Sequence, residues 1–462
     1  MSLIDIDTTD LLGAGFSGRV LRPGDPTYDD ARQVYNAMFD RRPALILQCL
    51  RTEDVVQAVR FAQATDLPVA VRGGGHSIAG FSSCDGGIVI DLSQMKHIDV
   101  DPDQRIARAQ PGVLLGELDA ATQAHGLATP LGFVSVTGIA GLTLNGGMGW
   151  LMRKHGLSCD NLIAAEVVLA DGTVVRASDT HNADLMWGLR GGGGNFGIVT
   201  SFEYRLHEVS DVYMEMRFFE LSDLGAVLRV FADVAPSMSD DVTTGVVALT
   251  VPESEMFPPE LHGRLLAALL WGHLSGDEEV AKRELEAFDA MPAPLLAMGM
   301  VMPFVAAQTM QDDDMPAGRQ NYWKAGNLTT LTDEAIDQLV ERTATIPSPY
   351  CQVTVLLLGG AMGRVGETDT AYCGRDAIFN LSIDNIWEDP AQNDAQIAWT
   401  RSFHHAMTPY FSGGVYLNFA SEEPADRVRL AYGANYERLV ELKDRHDPTN
   451  FFRRNQNIAP ST

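Results

Sequence analysis

Apolar and polar positions along the chain switch repeatedly between a strand period and a helix period. From Ala44, ALILQC reads as a strand; Thr52 reads as the N-cap of a helix over EDVVQAVRFAQATD; LPVAVR returns to a strand. GIVIDL (87 to 92) and IARAQPG (106 to 112) are further strands, and VLLGELDAATQAHG (113 to 126) is a helix that stops at its glycine. AAEVVLADGTVVRAS (164 to 178) is two β-rich runs joined at Asp171-Gly172, a hairpin signal, and ADLMWGLR (183 to 190) is a short helix.

After about Leu206 the elements lengthen. VYMEMRFFEL (212 to 221), TTGVVALTV (243 to 251) and CQVTVLLLGG (351 to 360) read as strands, with helices over EEVAKRELEAF and TDEAIDQLVERTA. This predicts a second unit, an antiparallel sheet with helices on one face. Ala290 to Gln311 carries no charge, but Pro292, Pro294, Gly299 and Pro303 break any spanning helix, so it is expected to be buried loop and short helix. In the last fifty residues VYLNFA reads as a strand, ADRVRLAYGANYERLVELKDRH as one or two amphipathic helices, and DPTNFFRRNQNIAP as a polar tail with aromatic anchors. No internal repeat is evident. The whole is of the α+β class.

Composition narrows the function. A chain of 462 residues with 45% hydrophobic content has enough apolar surface for two or three cores. Lys plus Arg 34 against Asp plus Glu 61 leaves a net charge of −27, which argues against nucleic acid or an anionic membrane as partner. Five scattered cysteines, odd in number and without C-x-x-C spacing, fit a reducing compartment and suggest no metal site. The opening MSLIDIDTTD lacks the basic and then apolar run of a signal peptide, so a cytoplasmic location is expected.

The candidate chemistry lies in three glycine-rich segments: VRGGGHSIAGFSSCDGG (71 to 87), LGFVSVTGIAGLTLNGGMGW (131 to 150) and RGGGGNFG (190 to 197). Runs of glycine let backbone N–H groups approach a diphosphate without many cations, which suits an acidic protein. Gly192, Gly194 and Gly197 spell G-x-G-x-x-G, but a helix precedes and the β-rich IVTSFEYRL follows, the reverse of a Rossmann unit. His76 directly follows Gly73, Gly74 and Gly75, where an imidazole can ligate or bond to a bound cofactor. The adjacent His404 and His405 match no metal motif and are left as surface or core residues.

RGGGHSIAG, GLTLNGGMGWLMRKHGLSCDNL, DLMWGLRGGGGNFGIVT and the ending YGANYERLVELKDRHDPTNFFRRNQNIAP resemble the berberine-bridge-enzyme-like flavoproteins of the vanillyl-alcohol-oxidase superfamily. The resemblance implies a two-part FAD-binding domain, residues 1–208 and 413–462, with a substrate domain at 209–412 inserted between them. It implies an 8α-histidyl bond from His76 to FAD, which raises the flavin potential and prevents its loss. The implied FAD-binding residues are His76, Arg72, Gly73, Gly74, Gly75, Ser77, Thr137, Gly138, Gly141, Leu144, Gly146, Gly147, Gly149, Trp150, Gly197, Ile198, Val199, Tyr416, Asn455 and Asn457.

Two departures from the family pattern bear on chemistry. Val134 stands where many members carry a second flavin-bonding cysteine, so attachment is expected to be single; Cys159 sits elsewhere. Thr137 replaces the usual Val or Leu at a position that influences oxygen access, and its hydroxyl can donate to oxygen or the flavin edge. The plant-type tyrosine base is also absent, because Tyr416-Leu417-Asn418-Phe419 ends in Phe. Tyr416 and Asn418 are expected at the flavin, and Tyr322, Gln352 and Asp384 are candidate polar groups from the substrate domain. The expected activity is FAD-dependent oxidation of a small organic or secondary-metabolite alcohol or amine by hydride transfer, with dioxygen as acceptor. A monooxygenase or oxidative cyclase, a dehydrogenase with another acceptor, and a non-catalytic binding protein are the alternatives.

Overall fold

The computed structural model describes residues 7–9 and 15–461, so most of the opening decapeptide lies outside the described residues. Three large sheets organise the fold among the described residues, beside a two-stranded ribbon of Leu127–Ala128 and His207–Glu208. In the first, Arg19–Leu21, Leu45–Gln48, Ile88–Asp91 and Val69–Arg72 lie in that order, and Ile88–Asp91 runs parallel to both of its neighbours. LILQ and IVID are buried at every position, as strands covered on both faces require. The helix Thr52–Gln63 covers one face through Val55, Ala58, Val59 and Ala62. Its N-cap is Arg51 rather than Thr52; the Thr52 hydroxyl instead donates to Glu166, drawn away by a carboxylate on the next sheet.

The second sheet is five-stranded, in the order Ile98–Asp101, Ile106–Ala109, Ile198–Arg205, Leu162–Val168, Val174–Ser178. The last two form the expected hairpin, with Gly172 at φ +77° where a side chain would be strained. Its core gathers Leu115 and Leu118, Leu185 and Met186, and also Leu439, Leu442 and Ile458 from the end of the chain. The C-terminal segment is two helices, Ala425–Tyr432 and Tyr436–His446. The buried Lys443 fixes their place: its Nζ donates to the Asn195 carbonyl at 2.9 Å, the Phe452 carbonyl at 3.0 Å and Asp447 Oδ2 at 2.7 Å. The chain's end is thereby tied to the third glycine segment.

The third sheet is antiparallel and seven-stranded: Leu296–Pro303, Asp211–Glu220, Leu265–His273, Val242–Thr250, Gln352–Leu357, Phe379–Trp387, Gln320–Leu328. One face packs against the helices Leu224–Val234, Glu278–Leu285, Asp333–Thr343 and Asn393–Met407 through Leu228, Phe231, Leu285, Leu339 and Phe403. The architecture is the expected α+β one, with a large antiparallel sheet covered by helices on one face. Two further local expectations are corrected. Residues 290–311 are not mainly buried loop: Leu296–Pro303 is an edge strand, half of it exposed, that pairs with Asp211–Glu220, and only Phe304–Gln308 is helical. VYLNFA is not a strand: Leu417–Phe419 is a single 3₁₀ turn, whose backbone bonds run locally, from the Phe419 N–H to the Tyr416 carbonyl at 3.0 Å and from the Ala420 N–H to the Leu417 carbonyl at 3.4 Å, while the Tyr416 and Asn418 side chains anchor it to Met148 and Leu142. No helix among the described residues is long and apolar enough to cross a membrane.

Candidate active site

The three glycine segments, the C-terminal tail and one face of the seven-stranded sheet enclose a cleft of about 1840 Å³, counting the part open to solvent. Val69–Arg72 ends at its rim, and the buried Arg72 holds that end by donating to both oxygens of Asp91, at 3.0 and 2.6 Å. Gly75, at φ +74°, turns the chain so that His76 reaches the cleft.

The glycines serve two different purposes. A Cβ on Gly74 would lie 2.6 Å from the Gly138 Cα, so these two are glycine to let the first and second segments touch. A Cβ on Gly141 or Gly194 would meet nothing within 4 Å, and neither has a positive φ. No packing or backbone demand within the protein requires glycine at those two positions. Both line the cleft, where a side chain would occupy the space of a bound group.

His76 supports the same reading. Its ring stacks on Tyr35 with centroids 3.7 Å apart at 20°, while its Nε2 is buried without a hydrogen-bond partner. Burial pushes its pKa down to about 4, so the imidazole is neutral near pH 7 and keeps a lone pair. A neutral imidazole with an unpartnered nitrogen, on a residue that lines a glycine-walled cleft, fits covalent attachment of a flavin. The residues present therefore suit FAD.

At the sheet end, Trp323 and Asp384 are register partners and both line the cleft with Gln311, Met315, Phe133, Val134 and Phe419. The buried Asp384 accepts from the Ser382 hydroxyl, and desolvation pushes its pKa up to about 7. No other carboxylate lines the cleft among the described residues.

Of the residues singled out in the sequence, Gly73, Gly74, Gly75, His76, Ser77, Thr137, Gly138, Gly141, Leu144, Gly197, Ile198, Val199, Asn418 and Asn455 line the cleft together. Others lie behind its wall. Tyr416 is fully buried, its hydroxyl taken by the Met148 and Asn418 donors. Trp150 packs edge-on against Phe133 at 5.1 Å, and so buttresses the wall. Gly146 and Gly147 have φ of +114° and +92° and shape a turn; a Cβ on Gly149 would overlap the Leu131 carbonyl. Asn457 lies beyond the lining, as does Gln352, which pairs with Asp384 one strand further along the row. Tyr322 is one residue from Trp323 and so points to the opposite face, where Arg401 Nε donates to its hydroxyl at 2.9 Å.

Sequence reasoning missed Tyr35, Gln311, Met315, Trp323, Arg454 and Gln456. Strand parity could have exchanged Tyr322 for Trp323, since Asp384 was already suspected and the two share a row. No local pattern marks Tyr35, which lies 41 positions before His76 in the chain.

The cleft, with its glycine walls, its unpartnered imidazole and its acid-bearing apolar end, defines a flavin-dependent redox enzyme. An FAD binding domain model matches residues 43–178, and a berberine and berberine-like model matches residues 415–459. An uncharacterized FAD-linked oxidoreductase, YgaK, of Bacillus subtilis is 32% identical over 96% of this chain and 97% of its own. The (R)-6-hydroxynicotine oxidase of Paenarthrobacter nicotinovorans is 30% identical over 96% of this chain and 97% of its own. The crystal structure of 6-hydroxy-D-nicotine oxidase from Arthrobacter nicotinovorans superposes with a TM-score of 0.87 at 27% identity, covering 99% of this chain and 100% of that one. The chain belongs to the berberine-bridge-enzyme-like family of FAD-linked oxidoreductases.

Proposed function

We propose that the protein is an oxidase that holds FAD by a single bond from His76 and oxidises a small, largely apolar alcohol or amine with dioxygen as acceptor. The observation that carries this reading is Asp384, a buried carboxylate with a raised pKa among Trp323, Met315, Phe133 and Phe419. When bound, the flavin supplies hydride acceptance from the substrate carbon and passes the electron pair to dioxygen, giving peroxide.

The protein's part is binding and proton handling. Trp323, Phe133, Phe419 and Met315 would hold a flat apolar substrate and exclude water. Asp384 takes the hydroxyl or ammonium proton as the carbon gives up its hydride, and a base with a pKa near 7 suits that task. Asn418 donates both amide hydrogens, to the Leu142 carbonyl and to Tyr416, which leaves its Oδ1 as an acceptor for the cleft. Val134 lines the wall, which leaves His76 as the point of attachment. A 6-hydroxynicotine oxidase among the relatives and the apolar lining support this class over a sugar. The division into 1–208, 209–412 and 413–462 and a reducing, cytoplasmic setting belong to the same reading; the five cysteines are all free.

The test is acid precipitation of wild type and His76→Ala, followed by oxygen uptake and peroxide yield over a panel of aromatic alcohols and amines. Yellow pellets from wild type alone and one peroxide per oxygen are expected. Colour lost from wild type removes the covalent bond from the reading. Oxygen consumed without peroxide turns it to oxygen insertion, for which the Thr137 hydroxyl at the cleft wall would be the residue to examine.

A further inference from the structure

Tyr35 lies outside every motif, yet three contacts fix it. Its N–H donates to the Gly75 carbonyl at 3.1 Å, and its carbonyl accepts from the Gly318 N–H at 3.0 Å. Its phenol donates to the Met315 carbonyl at 3.2 Å. The ring between these anchors is buried and lies nearly parallel to the His76 imidazole, 3.7 Å away. His76 Nε2 has no hydrogen bond to set the ring's rotation. In most sites a carboxylate or carbonyl on one nitrogen orients a working imidazole; His76 has only its own backbone in that role, its Nε2 has no partner, and an aromatic plane stands against the ring.

We propose that Tyr35 is the positioning residue for flavin attachment: its ring holds the His76 imidazole in the plane from which the nitrogen reaches the flavin methyl carbon. The inference rests on the covalent reading above. Forming that bond replaces a methyl C–H by C–N. The methyl proton and the imidazole N–H proton are released, and the C–H electron pair ends on the isoalloxazine, from which dioxygen removes it as peroxide. The nitrogen's direction therefore governs the rate, and an imidazole not held in one plane would seldom present it.

The experiment uses full-length protein made under riboflavin limitation, mixed with saturating FAD in air, and follows acid-stable flavin absorbance over time. Tyr35→Phe keeps the ring and loses only the bond to Met315; it should attach flavin at the wild-type rate. Tyr35→Leu keeps apolar bulk without the stack and should attach it about tenfold more slowly, the factor an aromatic pair of this geometry carries. Fluorescence quenching of FAD measures reversible binding in each variant, and an attachment defect at full reversible occupancy separates positioning from loss of the site. If Tyr35→Leu does not fold, Tyr35→Met takes its place. Equal attachment rates in wild type and the non-aromatic variant overturn the inference while leaving the covalent bond intact. Flavin that washes out of wild type overturns the covalent reading, and this inference with it.

Discussion

Ser135 and Asp312 clasp the two walls of the cleft: the Ser135 N–H and hydroxyl donate to the two carboxylate oxygens of Asp312 at 2.8 and 2.5 Å. Ser135 belongs to the second glycine segment, whereas Asp312 follows the helix Phe304–Gln308 on the segment that contributes Gln311 and Met315 to the lining. One residue thus joins cofactor wall to substrate wall.

Breaking that clasp should loosen the substrate wall without unfolding either core. Asp312→Ala is expected to raise KM several-fold, to leave the melting temperature within about 3 °C, and to speed amide exchange over residues 309–318. Steady-state kinetics and hydrogen exchange by mass spectrometry check this.

On the proposed mechanism, Asp384 should set the acid limb of the rate. Burial raises its pKa to about 7, so the carboxylate that accepts a proton is populated only as pH rises through that value. For wild type, kcat/KM should therefore climb between about pH 6 and 8 and then level. Asp384→Asn should flatten this limb and lower the rate by about 10²–10⁴-fold; a variant that keeps the limb would assign it to another group.

A second buried acid affects stability rather than rate. Asp119 accepts from Gln308 Nε2 at 2.8 Å through Oδ2, its Oδ1 has no partner, and burial raises its pKa from 3.8 to about 7. Between these values the folded protein holds the proton that the unfolded chain releases. The contribution is therefore present below about pH 4 and is lost as pH rises to 7, by up to about 1.4 kcal/mol per pH unit. Asp384 adds a like dependence, so Asp119→Asn should remove one proton's worth of the slope. Urea midpoints across pH 4.5–7 would show it.

Gly141 separates ligand space from folding. Gly141→Ala places a methyl in the helix Ile139–Leu144 against no protein atom, so stability should hold or rise by about 0.5–1 kcal/mol. FAD affinity should fall, because the methyl enters the cleft. Gly74→Ala drives its Cβ into the Gly138 backbone and should lower stability itself. Thermal melts beside flavin titrations distinguish the two behaviours.

The sequence by itself determined whatever depends on neighbours along the chain. The hairpin at Asp171-Gly172, the amphipathic helices and the buried parallel strands follow from period and turn chemistry, which act over a few residues. The glycine segments and His76 were legible for a related reason: a run of residues without side chains is informative wherever it folds. Only the tertiary structure decided which side chains share the cleft. Trp323 rather than Tyr322 faces it because a strand's two faces alternate, and the sheet's register, set by partners sixty residues away, chooses between them. Tyr416 withdrew behind the wall because its hydroxyl meets the Met148 N–H across 268 positions of chain. The strand expected at VYLNFA became a turn for want of a ladder partner, and the apolar run at 296–303 became an edge strand because Asp211–Glu220 offered one. The Tyr35–His76 stack and the Asp312 clasp join residues far apart in sequence, and no local pattern encodes a distance that exists only after the three sheets have closed around the cleft.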